Sequence, residues 1–156
     1  MAEVNQSFEA AMRRGRELGA AGNWSKALTE YIRAAQLIPT DISARYGLAM
    51  ALFKIGQLDQ AQQQFQGIVR IQPQNADAWR GLAELYSQAG NTSRAVQTYE
   101  QLKDLYQRTN RNREVGEVLQ QIIKIDPGNA PAYRALMDRA KARGDRKTAA
   151  ALILTL

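Results

Sequence analysis

The 156-residue sequence contains no cysteine and no histidine. Without cysteine a chain forms neither disulfide bonds nor thiolate metal sites, and without histidine it lacks the commonest metal ligand and general base. The sequence also shows no phosphate-binding loop and no paired-carboxylate motif. We therefore expect no metal site, no cofactor and no catalytic residues, and we expect the protein not to be an enzyme.

Long apolar runs are missing as well. No stretch approaches the roughly 18 apolar residues that a membrane-spanning helix needs. Residues 1–6 show no basic segment followed by an apolar one, so we see no signal peptide. The hydrophobic fraction of 45% is nevertheless enough for a folded core. The sequence predicts a soluble, cytoplasmic protein that does not insert into membranes.

What the sequence does contain is a pattern that recurs every 34 residues. Small, turn-forming, aromatic and helix-ending residues keep this spacing: Ala27, Ala61 and Ala95; Gly22, Gly56 and Gly90; Tyr31, Phe65 and Tyr99; Pro39 and Pro73. A period of this length indicates an array of helical hairpins. Such arrays bury their core between neighbouring repeats and leave a long groove for a partner, so the pattern favours binding over catalysis.

These residues resemble the tetratricopeptide repeat family, whose helix A carries Trp-x2-Leu-Gly-x2-Tyr and whose helix B carries Ala-x3-Phe before a closing Pro. The third repeat is close to this pattern, with Trp79, Leu82, Ala83, Tyr86 and Gly90 in helix A and at the turn. The first repeat departs from it, since Arg14 stands where Leu is expected. The resemblance covers about residues 8–156 and implies an all-α, right-handed superhelical array of antiparallel helix pairs, a TPR-like α-solenoid.

The repeat phase slips near residues 96–113. Gln107 stands where the third repeat should close with Pro, and the next proline, Pro127, belongs to a register that starts at Val96. Residues 92–107 therefore satisfy two registers, as helix B of one unit and helix A of the next. We predict a single domain over residues 1–156, with repeats at about 8–41, 42–75, 76–95 merging into 96–129, and 130–156. It should contain about nine helices, at 4–20, 24–37, 42–55, 58–71, 76–89, 92–107, 112–124, 130–143 and 145–155.

The resemblance also implies where a ligand would lie, because in this family one face of helix A lines the concave groove. Spacings of three and four residues place such positions in one stripe. In the second repeat this face holds Tyr46, Met50, Phe53 and Lys54. The predicted groove residues are Met12, Arg16, Tyr46, Met50, Phe53, Lys54, Arg80 and Glu84. We expect a protein partner that offers a peptide or helix with a bulky apolar anchor and acidic flanks, since the groove is apolar with cationic edges.

Some relatives hold a C-terminal carboxylate with a clamp of Lys, Asn and Arg side chains at five helix A positions. Those positions hold other residues here: Met12, Arg16, Gly47, Asp77 and Gly81. None of them matches the clamp, and Asp77 would repel a carboxylate. The sequence therefore argues against that mode of binding.

Two alternatives to a peptide-binding scaffold remain. The net charge is +6, and residues 130–156 carry six basic and two acidic side chains, which would suit an RNA-binding helical-repeat protein. Against RNA, residues 76–129 have balanced charge and the aromatic groove residues lie far along the chain from the basic segment. Leu152–Leu156 close the chain with apolar residues and could form a homodimer or homo-oligomer contact. We expect a protein partner and not a nucleic acid.

Overall fold

The computed structural model describes residues 2–153, with side chains through Ala151. This range is helical, with no strand, and it contains nine helices. They are α1 (Ala2–Ala20), α2 (Trp24–Leu37), α3 (Ile42–Lys54), α4 (Leu58–Ile71), α5 (Ala76–Gln88), α6 (Thr92–Arg108), α7 (Asn112–Ile125), α8 (Ala130–Ala142) and α9 (Arg146–Ile153). The prediction of an all-α array of helix pairs is confirmed.

The chain packs as two compact units, which comprise residues 1–85 and 86–156. In the first unit α1 pairs with α2 and α3 pairs with α4, and α3 also contacts α1 and α2. In the second unit α7 packs against both α6 and α8, and α8 packs against α9. The boundary falls within α5, and each unit is described below by itself.

Five turns end a helix in the same way. Each places one residue in the left-handed conformation, and the N–H of the following residue bonds the carbonyl five positions back, which satisfies groups that the helix end leaves unpaired. Gly22, Gly56, Gly90 and Gly144 occupy this position with φ between 73° and 84°. In the fifth turn Asn110 takes it with φ 56°, and the N–H of Arg111 bonds the carbonyl of Tyr106 at 2.8 Å.

The turn at Asn110 explains the slip in the repeat. Asn110 lies 20 residues after Gly90 and 34 before Gly144, so it ends a helix A in the shifted register. No turn interrupts residues 92–108, where α6 runs for 17 residues. One helix thus begins as helix B of the third repeat and ends as helix A of the fourth, as its two registers predicted.

Three helices that follow a helix B begin with a side-chain cap. Asp41, Asn75 and Asn129 each accept a hydrogen bond through Oδ1 from the backbone N–H three residues later, at 2.7, 3.0 and 3.1 Å. Such caps satisfy one of the free N–H groups at a helix start. They place the first turns of α3, α5 and α8, and in the first unit the starts of α3 and α5 border the cavity described below.

The core of the first unit is built from aromatic rings seated on glycines. A Cβ added at Gly15 would lie 2.8 Å from Cε1 of Tyr31, and one added at Gly47 would lie 2.3 Å from the same atom. The Tyr31 ring therefore occupies the space between α1 and α3 that these glycines leave. Phe65 repeats the arrangement with Gly81, at 2.5 Å. The small residues of the 34-residue pattern also lie in the core. Four of them are fully buried: Ala27, Ala49, Ala61 and Ala83.

In the second unit α6 and α7 share an apolar core. Tyr99, Leu102 and Tyr106 on α6 and Val115, Val118, Leu119 and Ile122 on α7 are all buried. The guanidinium of Arg111, the residue after the left-handed Asn110, lies 4.5 Å from the centre of the Tyr106 ring.

The described residues, 2–153, show neither a membrane-spanning helix nor a cluster of metal-binding side chains. No helix in that range is long and apolar enough to cross a membrane. The same residues contain no group of three or more Asp, Glu, His or Cys side chains placed to hold a metal ion. The predicted dimer contact, Leu152–Leu156, lies outside the residues whose side chains the structure describes.

Candidate functional site

The first unit contains an open cavity of about 440 Å³ bordered by α1, α2, α3 and the start of α5. We call it the α1–α3 cavity. Apolar and aromatic side chains form most of its wall, with one cation, one anion and two uncharged polar side chains. The lining residues are Met12, Arg16, Trp24, Tyr31, Ile42, Ser43, Tyr46, Gly47, Met50, Asn75 and Asp77.

Helical spacing explains why α3 contributes most to this wall. Ser43, Tyr46, Gly47 and Met50 follow one another at intervals of three, one and three residues, so they share one face of the helix. Gly47 lets the Tyr31 ring pack closely against α3, and Tyr46 packs edge-on against Phe65 with ring centroids 5.9 Å apart. The cavity wall is therefore held by the core contacts beneath it.

Four of the eight predicted groove residues border the cavity. Tyr46 and Met50 are partly exposed, Arg16 is exposed, and Met12 is 4% exposed as a member of the core cluster that also holds Phe8 and Tyr31. Among these four residues, Tyr46 and Met50 are thus the ones that offer apolar surface to solvent. Met12 forms the inner wall.

Phe53 requires a correction. We predicted that it extends the apolar stripe of the groove, but its side chain is 6% exposed and is not part of the cavity wall. Because α3 packs against α1, α2 and α4, residues 51–53 at its C-terminal end are all buried. Lys54 is exposed and is not part of the cavity wall either. Its Nζ lies 5.5 Å from the centre of the Phe53 ring.

Arg80 and Glu84 do not line the cavity, but they lie close enough to act on Tyr46. Burial raises the pKa of Tyr46 above its ordinary value of 10.0, the negative charges of Asp77 and Glu84 raise this pKa further, and the positive charge of Arg80 opposes them. Arg80 also approaches Asp77, with 3.7 Å between Nη1 and Oδ1. The sequence predicts cationic edges for this groove. The α5 edge instead carries charges of both signs.

The opposite edge of the cavity is cationic. Arg16 on α1 is exposed and lies near the Tyr31 hydroxyl. Burial raises the pKa of Tyr31, while the Arg16 charge acts to lower it. The cavity thus has a guanidinium on the α1 side and a carboxylate, Asp77, on the α5 side.

The sequence pattern missed part of this wall. Trp24 is partly buried and borders the cavity from the start of α2, although it is not on the helix A face that the repeat pattern singles out. Ile42 is the first residue of α3, and Asn75 immediately precedes α5. The repeat pattern did not predict either of them as a groove residue. Their position beside the capped helix starts is the signal that would have suggested them, since Asn75 caps α5 through its own side chain.

Two family models match this chain, and both are described as tetratricopeptide repeat. One matches residues 19–72 and the other residues 46–108. Among curated proteins, the Protein CTR9 homolog of Arabidopsis thaliana is 33% identical over 72 residues. That stretch covers 46% of this chain and 7% of the Arabidopsis protein, so the chain corresponds to a small part of that relative.

Two solved structures are similar in fold. The complex of the TPR2B domain of yeast Sti1 with pHsp70 superimposes with a TM-score of 0.71 at 19% identity, covering 78% of this chain and 98% of that one. PcrH in complex with the chaperone binding region of PopD superimposes with a TM-score of 0.70 at 16% identity, covering 78% and 92%. Identities this low establish a shared fold and nothing about shared ligands.

Proposed function

This chain belongs to the tetratricopeptide repeat family, and from that premise we propose that it is a protein-interaction scaffold. In this proposal the α1–α3 cavity binds a peptide or a short helical segment of a partner protein, without catalysis and in the cytoplasm. The single observation that carries it is that Tyr46 and Met50 expose apolar surface in a cavity whose wall is fixed by core packing.

The chemistry of the cavity supports an apolar anchor. Aromatic and Met side chains ringed by polar groups are typical of the residues that contribute most to binding energy. Cavities of about 300–1,000 Å³ accommodate small ligands or a few side chains, and the α1–α3 cavity of about 440 Å³ is in this range. A bulky apolar side chain of the partner would contact Met12, Tyr46 and Met50.

The charges at the two edges give the partner a direction. An acidic side chain of the partner would pair with Arg16 on the α1 side. A basic side chain would pair with Asp77 or Glu84 on the α5 side, where the two carboxylates outnumber Arg80. The proposed ligand therefore has an acidic and a basic flank around its apolar anchor, instead of acidic residues on both sides.

A carboxylate clamp is incompatible with the packing of this chain. The clamp needs long polar side chains at the positions of Gly47 and Gly81, where even a Cβ would lie 2.3 Å from Tyr31 and 2.5 Å from Phe65. For RNA binding through stacked bases, burial of Phe53 leaves Tyr46 as the one partly exposed aromatic side chain among the predicted groove residues.

The proposal is tested by capturing partners from a lysate of the native source, with nuclease present. Two variants block the cavity in different ways: Tyr46→Ala with Met50→Ala removes the apolar surface, and Ser43→Trp fills the space from an exposed position. The matched control is Ile32→Ala with Ile71→Ala, because these side chains are 41% and 60% exposed and lie outside the cavity wall.

We expect a protein that is captured by the wild type and by the control but lost with both cavity variants. Circular dichroism of each variant verifies that the helices remain. Equal capture by the wild type and by Ser43→Trp would exclude the cavity as the binding site. Loss of the captured protein in the control as well would mean that exposed apolar surface in general, and not the cavity, holds the partner.

A further inference from the structure

The second unit contains another open cavity of about 440 Å³, bordered by α7, α8 and the start of α9. We call it the α7–α8 cavity. It is separate from the α1–α3 cavity and from the groove positions of helix A that the family resemblance implies. Nothing in the proposed function requires it.

The cavity exists because α7 carries a glycine where other repeats have a larger side chain. Gly116 follows Val115 as Leu28 follows Ala27 and as Gln62 follows Ala61. Its absent side chain leaves a hollow, and two guanidinium groups from α8 and its C-terminal end reach toward it. A Cβ at Gly116 would lie 4.0 Å from Nε of Arg139 and 4.0 Å from Nη2 of Arg143.

Arg139 is unusual for its place in the repeat. The equivalent residues of the second and third repeats are Ala51 and Leu85, which are 0% and 1% exposed. The guanidinium of Arg139 donates through Nη2 to the backbone carbonyl of Asn112. Within the described residues its Nε is buried and has no hydrogen-bond acceptor. A buried donor without an acceptor destabilises the site. Arg139 does not itself line the cavity, so it acts on a ligand there through its charge.

Two carboxylates, Glu117 and Asp145, also line this cavity. Oε1 of Glu117 accepts from Nε of Arg113 at 3.0 Å. Oδ1 of Asp145 accepts from the backbone N–H of Thr148 at 3.0 Å and caps α9. The charge of Arg143 also acts on Asp145, whose pKa is lowered first by its hydrogen bonds to Thr148 and further by Arg143. Around Gly116 the three arginines Arg113, Arg139 and Arg143 thus exceed the two carboxylates by one positive charge.

Beside these cations the cavity has an apolar wall. Ile123 of α7 and Tyr133, Leu136 and Ala140 of α8 line it. A ligand that matches both parts needs a carboxylate next to an aliphatic side chain. We propose that the α7–α8 cavity is a second partner-binding site, which takes a peptide segment with a Glu or Asp side chain beside a Leu-like residue.

The same surface suits a polynucleotide poorly. Glu117 and Asp145 line the cavity and would repel several successive phosphates more strongly than a single carboxylate. Planar guanidinium groups also bind carboxylates through paired hydrogen bonds, which gives the site its selectivity for that group. Charge complementarity and the apolar wall together favour the acidic peptide.

The test is an NMR titration of the full chain with a blocked peptide of sequence Gly-Leu-Glu-Leu-Gly. The comparison peptide is Gly-Leu-Gln-Leu-Gly, which differs in charge alone. We expect the Glu peptide to shift the backbone amides around Gly116 and the side-chain Nε signals of Arg139 and Arg143. The Gln peptide should bind at least roughly tenfold more weakly, because it lacks the charged hydrogen bond that the Glu side chain makes.

Variants then locate the site. Arg139→Gln with Arg143→Gln should weaken binding of the Glu peptide by roughly tenfold or more. The control, Arg134→Gln with Arg146→Gln, removes the same charge from exposed positions outside the cavity wall and should leave affinity nearly unchanged. The peptide pair on the wild-type chain tests the proposal even if Arg139→Gln disturbs folding.

Three results would overturn the proposal. The first is equal binding of the Glu and Gln peptides. The second is the absence of shifts around Gly116 with the Glu peptide. The third is that oligouridylate or inorganic phosphate produces those shifts while the Glu peptide does not, which would make the site a phosphate site.

Discussion

Replacing Gly47 by Ala should destabilise the first unit, although the same change in most helix interiors is stabilising. The added Cβ would lie 2.3, 2.4 and 2.7 Å from Cε1, Cδ1 and Cζ of Tyr31. The ring cannot move toward α1, because that helix already packs against it at Gly15. A Cβ added at Gly15 would lie 2.8 Å from Cε1 of Tyr31. Tyr31 is 6% exposed, so movement toward solvent would also open the core.

The magnitude follows from two opposing terms. Gly→Ala in a helix interior gains about 1 kcal/mol in helix propensity. Overpacking a core typically costs about 1–3 kcal/mol, and contacts this short call for the upper end of that range. We therefore expect a net loss of about 2 kcal/mol in the free energy of unfolding.

The assay is urea unfolding followed by tryptophan fluorescence. The chain has two tryptophans, Trp24 and Trp79, and both lie in the first unit, so the signal reports on that unit. The matched control is Gly67→Ala on α4, where a Cβ would have Nη1 of Arg45 at 3.5 Å as its nearest neighbour. That control should be stabilised by about 0.5–1 kcal/mol.

A double-mutant cycle separates the clash from other effects. In a Tyr31→Leu background the ring is gone, and the cost of Gly47→Ala should largely disappear. If Gly47→Ala stabilises the first unit as much as Gly67→Ala does, the ring does not occupy the space between α1 and α3 as described. An unchanged cost in the Tyr31→Leu background would contradict the same contact.

Three further predictions concern the turns, the caps and the cavity charges. Because residue 110 is left-handed, Asn110→Gly should stabilise the second unit by about 0.5–1 kcal/mol and Asn110→Val should destabilise it by about 1–2 kcal/mol. Thermal unfolding followed by circular dichroism measures both changes. The reverse order of stability would contradict the left-handed turn. Asn129→Ala should cost about 1 kcal/mol by removing the α8 cap, whereas Asn129→Ser, which keeps a capping oxygen, should retain most of that stability. Equal losses in the two variants would show that the capping oxygen contributes nothing. Asp77→Asn should lower the pKa of Tyr46 and Arg80→Ala should raise it, as followed by NMR of labelled tyrosine rings. Changes in the Tyr46 pKa of opposite sign in these two variants would refute the proximity of the charges to Tyr46. Because the folded pKa of Tyr46 is raised, the contribution of Tyr46 to stability is present below pH 10.0 and is lost as pH rises through the folded pKa.

The helices were predictable because the signals that define them are local. The five turns carry Gly or Asn in the left-handed position, and the spacing of these residues alone places the ends of α1, α3, α5, α6 and α8. The two competing registers of residues 92–107 were also visible in the sequence. That one uninterrupted helix satisfies both follows from the absence of a closing Pro at Gln107.

The candidate site was predictable only in part because its exposure depends on neighbouring helices. Position in the repeat placed Tyr46, Met50 and Phe53 on one face, yet α3 is covered at its C-terminal end and only Tyr46 and Met50 remain partly exposed. The role of Gly47 depends on a ring that is contributed by another helix, Tyr31 of α2. The approach of Arg139 and Arg143 to Gly116 likewise joins two helices and has no counterpart in the repeat pattern.

Photo-cross-linking from inside the α1–α3 cavity tests the proposed function most directly. A benzophenone amino acid is placed at Ser43, on the cavity wall, and separately at Ile32, an exposed position outside it. Each chain is irradiated in a lysate of the native source, and the adducts are identified by mass spectrometry. We predict a protein adduct, joined through a segment with an apolar anchor, from position 43 and not from position 32. The same adducts from both positions, or nucleic acid in place of protein at position 43, would contradict a peptide-binding cavity.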